Sequence, residues 1–149
     1  MQVVTAASFT GGSLVLSWNI RRWLPLIVWV IMIFSLSSIP GLSSEDIRLP
    51  RGYDKAVHFI EYTIFAMLYY RGLSYGGVRI RWSIVIIVMM SGIAVAGLDE
   101  MYQSYIPRRD SSIFDLTMDS AGVITGTLLA VLRHVLQIRK APGRKAVRE

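Results

Sequence analysis

The chain has no cysteine among its 149 residues, and this absence excludes several kinds of site at once. Without thiols there is no disulfide framework, no thiolate nucleophile and no cysteine-ligated zinc. The redox compartment is left open by the same absence. Any chemistry must therefore rest on oxygen and imidazole groups.

Other familiar signals are missing as well. The sequence has no internal repeat and no low-complexity tract, and residues 1–20 lack the basic segment ahead of an apolar stretch that opens a signal peptide. The formal net charge of +6 raises the question of nucleic acid. The basic residues, however, lie at the ends of apolar runs and in the C-terminal tail, not in a folded basic stripe. We therefore expect no nucleic-acid partner.

Apolar residues are what the chain has in excess. They make up 53% of it, with a mean hydropathy of +0.47, which is too apolar for an ordinary soluble domain of this length. Four stretches match the length that a bilayer requires, and Pro107 would stop the third helix. The sequence predicts an all-α polytopic membrane protein, its partner the lipid bilayer, with four transmembrane helices over residues 23–39, 54–70, 82–103 and 113–132.

The basic residues predict the direction of these helices. Eleven lysines and arginines fall on the side of both termini and five on the other, so the positive-inside rule predicts cytoplasmic termini in a multi-pass plasma-membrane protein. Loops 41–53 and 104–110 then face outward. The predicted organisation is a cytoplasmic or interfacial segment over residues 1–22, a membrane domain over 23–133 and a basic cytoplasmic tail over 134–149, with residues 13–20 lying along the interface.

Nine of the ten carboxylates lie on the predicted outer side. Some can be explained as solvated surface: Glu45, Asp46, Asp54, Glu100 and Asp110. The rest sit inside apolar helices, where an ionised side chain costs about 2.5 to 3.5 kcal/mol at the centre. These four are the functional candidates: Glu61, Asp99, Asp115 and Asp119.

Helical spacing groups the polar residues into three stripes, one on each of the last three helices. The second helix carries Asp54, His58, Glu61 and Tyr62 on one face. The third carries Gly92, Ala96, Asp99, Glu100 and Gln103, and the fourth carries Asp115, Asp119, Gly122 and Gly126. Small residues allow close helix approach, so we assign Gly92, Gly122 and Gly126 to helix packing.

Several of these residues fall into ordered motifs. They are Ser37-Ser38-Ile39-Pro40, Asp54-Lys55-x-x-His58-Phe59-x-x-Tyr62, Asp99-Glu100-x-x-Gln103, Pro107-x-Arg109 and Asp115-x-x-x-Asp119-x-x-Gly122-x-x-x-Gly126. Over residues 24–132 the chain resembles the VanZ-like family. It departs from the family at Arg108, where glycine is frequent, and at Asp119, where many relatives have asparagine. The resemblance implies a small integral membrane protein with a relative associated with resistance to teicoplanin, and it implies no mechanism.

One hypothesis makes the outer end a site for the headgroup of an envelope lipid or cell-wall precursor, by binding or by catalysis. His58 and Glu61 would form an acid/base pair, and Arg109 would bind a phosphate or carboxylate. The catalytic candidates are His58, Glu61, Asp99 and Asp115. The substrate-binding candidates are Asp54, Lys55, Tyr62, Glu100, Gln103 and Arg109, and the metal candidates are Asp99, Asp115 and Asp119, for Mg²⁺ or Mn²⁺.

Two other hypotheses fit the same residues. Lys55 and Arg109 can form a structural ion-pair network with the carboxylates in a non-enzymatic scaffold, and for His58 a structural hydrogen bond is an equal alternative to catalysis. Membrane carboxylates with a histidine are also typical of ion- or proton-coupled transport, although the inner halves of the third and fourth helices offer no polar path. The cofactor, the oligomeric state and whether the protein is an enzyme stay open.

Overall fold

The computed structural model describes residues 10–41, 52–77, 79–109 and 111–140, with side chains from residue 20 onward. These residues form four helices and no strand. The helices are α1 (Thr10–Ser37), α2 (Tyr53–Leu73), α3 (Trp82–Gln103) and α4 (Ile113–Lys140). The prediction of an all-α chain is confirmed. The carboxylates assigned to the loops, at Glu45, Asp46 and Asp110, lie outside the described residues, as does the end of the basic tail.

Three of the helices are long and apolar enough to cross a membrane: Ile20–Ser37, Trp82–Gln103 and Ile113–Lys140. Their outward faces carry large apolar side chains such as Trp82 and Met90, which are 69% and 68% exposed. Exposing such an apolar surface to water is energetically unfavourable, whereas contact with lipid is not. The chain is therefore a helical protein of the membrane type, and α2 is the predicted crossing that this measure of hydropathy does not include.

The polarity of α2 has a structural reason, because α2 packs against each of the other three helices. Its inward face is buried among them, from His58 near its start to Tyr70 near its end. Polar groups on that face meet protein, so they need not be matched to lipid. The low hydropathy of α2 is thus explained by its position at the centre of the bundle.

Two helices are longer than the apolar segments from which they were predicted. α1 begins at Thr10, so the segment expected along the interface is the first part of α1. α4 continues from the predicted end at residue 132 to Lys140. Hydropathy indicates where the apolar span ends, whereas a helix stops at glycine or proline, and Pro142-Gly143 is the next such signal on this chain.

Contacts with α2 hold α1 in place. The Trp29 indole Nε1 donates a hydrogen bond of 2.9 Å to the Glu61 carbonyl oxygen, and the Arg22 guanidinium donates to the Gly72 carbonyl oxygen. At the same end of the bundle the buried His134 joins α4 to α2, with Nδ1 3.0 Å from the Tyr70 hydroxyl. His134 Nε2 lies 2.9 Å from the Gly77 carbonyl oxygen. This histidine therefore has a structural partner on each ring nitrogen.

The closest approach in the bundle is between α2 and α4, at the glycines predicted to serve packing. A Cβ atom on Gly122 would lie 2.5 Å from the Phe59 carbonyl oxygen, and one on Gly126 would overlap the Thr63 carbonyl oxygen. Gly92 on α3 similarly leaves room for the Val123 side chain, 2.8 Å from the position of a Cβ. Glycine at these positions lets α4 lie against the α2 backbone, which sets the depth of every side chain on both helices.

Candidate functional site

The polar residues of three helices meet at one end of the bundle because α2, α3 and α4 alternate in direction. The start of α2, the end of α3 and the start of α4 therefore lie together. We call the group at this end the polar cluster, which consists of Lys55, His58, Tyr62, Asp99, Glu100, Gln103, Asp115 and Asp119. All of its members except Lys55 are buried.

His58 is the centre of the polar cluster, and its nearest partner comes from α4. Its Nδ1 lies 3.0 Å from Asp119 Oδ1 and 3.9 Å from Glu100 Oε1. The shorter distance is a hydrogen bond and the longer one is an electrostatic contact. Asp119 is fully buried, and Glu100 is 7% exposed. The imidazole thus joins one carboxylate from α3 and one from α4.

Asp99 occupies a second pocket of hydrogen bonds. Its Oδ2 accepts bonds from the Tyr62 hydroxyl at 3.3 Å and from Gln103 Nε2 at 3.2 Å. Gln103 Nε2 also donates to Ser37 Oγ at 3.2 Å, which connects α3 to the end of α1. Helical spacing explains the pair on α3, because Asp99 and Gln103 are one turn apart. Tyr62 and Gln103 therefore hold the carboxylate in a fixed position.

Lys55 lies at the border of the cluster and bridges two helices. Its Nζ is 3.2 Å from Asp54 Oδ2 and 3.2 Å from Asp115 Oδ1. The Lys55 and Asp54 side chains are about one-third exposed, at 35% and 31%, while Asp115 is 8% exposed. Solvent screens the first of these ion pairs. Lys55 is thus the polar-cluster residue that a molecule outside the bundle meets first.

Two predicted site residues lie at the edge of the cluster. Glu61 is half-buried, and its carboxylate interacts electrostatically with His58, Asp99 and Arg109. Arg109 is half-buried too, and its Nη2 donates a 3.2 Å bond to the Leu36 carbonyl oxygen. The acid/base pair predicted from helical spacing is not the contact observed, because His58 Nδ1 is bonded to Asp119 and not to Glu61.

Glu100 is the residue that sequence reasoning understated. The sequence allowed it to be solvated surface, but it is buried, and its Oε2 accepts a 3.0 Å bond from the Ser112 backbone N–H. Ser112 Oγ in turn accepts a bond from the Phe114 N–H in the first turn of α4. These bonds satisfy N–H groups that the helix start leaves free. The sequence did carry a signal, because serine is a favoured N-cap residue and the backbone N–H groups at a helix start need acceptors nearby.

Three carboxylate oxygens within the cluster are buried and have no hydrogen-bond partner among the described residues. They are Asp99 Oδ1, Glu100 Oε1 and Asp119 Oδ2. Buried polar atoms nearly always have a partner, since an unsatisfied one costs roughly 1 to 3 kcal/mol. The polar cluster therefore retains capacity for a hydrogen-bond donor or a cation.

One group in the described part of the chain has an arrangement that suits a metal ion. Ligand atoms of His58, Glu100 and Asp119 all lie within 4.8 Å of one another. Of the predicted metal candidates, this group contains Asp119. The carboxylates of Asp99 and Asp115 are instead bonded to Tyr62, Gln103 and Lys55.

Comparison with known proteins agrees with the motifs. A family model described as VanZ/LLP1 matches residues 12–134, which includes all of the polar cluster. The chain belongs to the VanZ/LLP1 family. No curated protein matches the chain, and no solved structure matches it either. The resemblance read from the motifs of this VanZ/LLP1 protein is thereby confirmed.

The two departures from the VanZ-like pattern have different structural consequences. Arg108 has φ 60°, which lies in the left-handed region that favours glycine. Glycine would adopt this conformation without strain, which agrees with the glycine expected here from the resemblance. At position 119 the aspartate supplies the carboxylate that bonds His58. An asparagine there would keep a hydrogen bond and lose the charge.

Proposed function

We propose that this VanZ/LLP1 protein crosses the plasma membrane four times, with α2 as the fourth crossing and both termini in the cytoplasm. α2 has 21 residues, or about 31 Å at 1.5 Å per residue, and it packs along the apolar α3 and α4. The end of the bundle opposite the polar cluster carries the exposed bases Arg71, Arg79 and Arg81. The positive-inside rule assigns that end to the cytoplasm and the polar cluster to the outer side.

Single cysteines test this topology cleanly because the chain has none of its own. Tyr53→Cys and Arg79→Cys both replace exposed residues, the first at the start of α2 and the second in the loop that joins α2 to α3. A membrane-impermeant maleimide applied to sealed cells is expected to label Tyr53→Cys, and to label Arg79→Cys only after permeabilisation. Labelling of both from the outside would mean that α2 does not cross the membrane. Labelling of Arg79→Cys alone from the outside would mean that the orientation is the opposite of the one proposed.

We further propose that the polar cluster binds a sugar-phosphate headgroup of an envelope lipid or lipid-linked cell-wall precursor. The supporting observation is a set of buried carboxylate oxygens without partners beside two basic side chains, Lys55 and Arg109. Carboxylates accept hydrogen bonds from sugar hydroxyls, and the guanidinium and ammonium groups are suited to phosphate. By binding the precursor on the outer surface, the protein would make the precursor less accessible to teicoplanin-type antibiotics.

Antibiotic susceptibility combined with protein abundance tests this function. Asp99→Asn keeps the side-chain shape and an acceptor for Tyr62, and Arg109→Gln removes the charge that faces phosphate. We expect both variants to accumulate in the membrane as the wild type does, yet to leave cells as sensitive to teicoplanin as cells without the protein. Arg71→Gln, at the opposite end of α2, is the matched control and should protect fully. Full protection by both site variants would contradict the proposal.

A structural ion-pair network is the second candidate. It is favoured by the Lys55 bridge between Asp54 and Asp115, and by the bond from Arg109 to the end of α1. On this account Asp99→Asn and Arg109→Gln reduce abundance and protection together. Ion transport has less support, because a buried layer of Phe65, Val88, Ala96 and Val123 separates the polar cluster from Tyr70 and His134 in the described core.

A further inference from the structure

We infer that His58, Glu100 and Asp119 form a binding site for one first-row divalent metal ion, of the Mn²⁺ to Zn²⁺ series. The inference does not depend on the headgroup function. It begins from a convergence of three helices, since α2 supplies an imidazole while α3 and α4 each supply a carboxylate. Glu100 and Asp119 are more than nine-tenths buried, and the His58 side chain is 11% exposed.

The spacing of the ligand atoms fits an ion between them. Ligand atoms about 2.0 to 2.2 Å from a tetrahedral metal are roughly 3.3 to 3.6 Å from one another. The separations here from His58 Nδ1 are 3.0 Å to Asp119 Oδ1 and 3.9 Å to Glu100 Oε1. Shifts of a few tenths of an ångström on each side bring both to the tetrahedral value, and the Glu100 and Asp119 oxygens, which lie within 4.8 Å of each other, would have to approach by about 1.5 Å at most. The three residues would leave a fourth position for water or a ligand oxygen.

The unpartnered oxygens give an independent reason to expect a cation. Glu100 Oε1 and Asp119 Oδ2 are buried without a hydrogen-bond donor, although Glu100 Oε2 is used by Ser112 and Asp119 Oδ1 by His58. A pair of carboxylates facing one imidazole therefore holds acceptor capacity that no described side chain uses. Glu100 Oε1 is itself one of the ligand atoms, and Asp119 Oδ2 shares a carboxylate with the ligand atom Oδ1, so an ion that bound Asp119 through both oxygens would use both unpartnered atoms.

The charge around the site points the same way. Among the described residues, six carboxylates and three basic side chains lie in or beside the polar cluster. The carboxylates are Asp54, Glu61, Asp99, Glu100, Asp115 and Asp119, and the basic residues are Lys55, His58 and Arg109. Buried charge of one sign is costly unless it is compensated. His58 is neutral as a metal ligand, so Lys55 and Arg109 balance two of the six carboxylates, and a divalent ion would offset two of the remaining four charges.

The donor set decides the class of metal. Mg²⁺ and Ca²⁺ prefer all-oxygen coordination, whereas an imidazole nitrogen with two carboxylates suits Mn²⁺, Fe²⁺ or Zn²⁺. Nδ1 must be unprotonated to bind the ion, so binding displaces the proton that His58 and Asp119 share, which passes to solvent. His58 and Asp119 would then be held by the metal in the positions that their hydrogen bond now maintains.

Metal titration of the full chain tests the inference. The protein is purified without a polyhistidine tag, reconstituted in nanodiscs, dialysed against a chelator and titrated with Zn²⁺ in excess Mg²⁺. We expect one Zn²⁺ per chain and affinity at least about 100-fold weaker in Glu100→Gln and Asp119→Asn, since removing even an indirect partner of a metal weakens binding about 10- to 100-fold. Asp115→Asn, one turn before Asp119 on α4, removes a neighbouring charge but no metal ligand, so it should weaken binding less than either ligand variant, by about tenfold at most.

A second measurement on the wild type avoids variants that fail to fold. Mn²⁺ bound at this site should show nitrogen modulation from one imidazole in electron spin echo spectra, because His58 is a direct ligand. No Zn²⁺ bound to the wild type, equal weakening in Asp115→Asn, or Mn²⁺ without a nitrogen signal would each overturn the inference. A protein that binds Zn²⁺ and gives no protection against teicoplanin would leave this site in place and remove the proposed function instead.

Discussion

Replacing Gly126 with alanine is expected to prevent accumulation of the folded protein. The added Cβ would overlap the Thr63 carbonyl oxygen, and the neighbouring Thr63 carbon would lie 2.9 Å away. Both atoms belong to the α2 backbone, so no side chain can rotate to relieve the overlap. Overpacking of a core costs typically about 1 to 3 kcal/mol, and a backbone obstacle places this substitution at the upper end of that range or beyond it.

The measurement is unfolding of the purified protein in mild detergent, with membrane abundance measured in parallel. Gly122→Ala should behave similarly, because its Cβ would lie 2.5 Å from the Phe59 carbonyl oxygen. Gly97→Ala is the matched control on α3, where no atom lies within 4 Å of the added Cβ. Alanine favours a helix over glycine, so this control should be as stable as the wild type or slightly more so. Equal stability of all three variants would show that α2 and α4 lie farther apart than in the structure described above.

The convergence of the polar residues was predictable from the sequence, for a simple physical reason. Helices joined by short loops run antiparallel, so the start of one and the end of the next lie at the same level. Asp99 near the end of its helix and Asp119 near the start of the next were therefore expected to be neighbours. The packing role of Gly122 and Gly126 followed from residue size alone.

The individual partners were not predictable, because they depend on how each helix is rotated about its axis. Residues adjacent on a helix point about 100° apart, so Asp99 and Glu100 cannot share one set of partners. Asp99 faces Tyr62, whereas Glu100 faces His58 and the start of α4. Spacing along α2 favoured Glu61 as the partner of His58, but packing against α4 supplies Asp119. The spacing of residues along one helix indicates which of them share a face, but it does not indicate which residue of another helix that face contacts.

The full lengths of α1 and α4 were not predicted, for a different reason. The apolar segment ends where charged residues begin, which is at Arg21-Arg22 in α1 and at Arg133 in α4. Helical structure does not end there, because arginine is a good helix former and its long side chain can reach the membrane surface. His134 lies in this extension of α4 and is bonded to Tyr70 and Gly77. Polar segments at the ends of a span can thus be part of the folded bundle.

The central claim is that the polar cluster recognises a sugar-phosphate headgroup, and a binding measurement tests it most directly. A polyprenyl-linked sugar phosphate is titrated into the protein in nanodiscs. Lys55→Gln with Arg109→Gln should weaken binding at least about 100-fold, because each charge-assisted hydrogen bond contributes roughly 1.5 to 3 kcal/mol. The thermal midpoint of unfolding, measured on the same samples, verifies that the double variant is folded.

The matched control is Arg71→Gln with Arg79→Gln, which removes the same charge from exposed positions in the last turn of α2 and in the loop that follows it. The account predicts that this control binds the sugar phosphate as the wild type does. Equal affinity for all three proteins, or equal weakening in the two double variants, would show that the polar cluster does not recognise the headgroup.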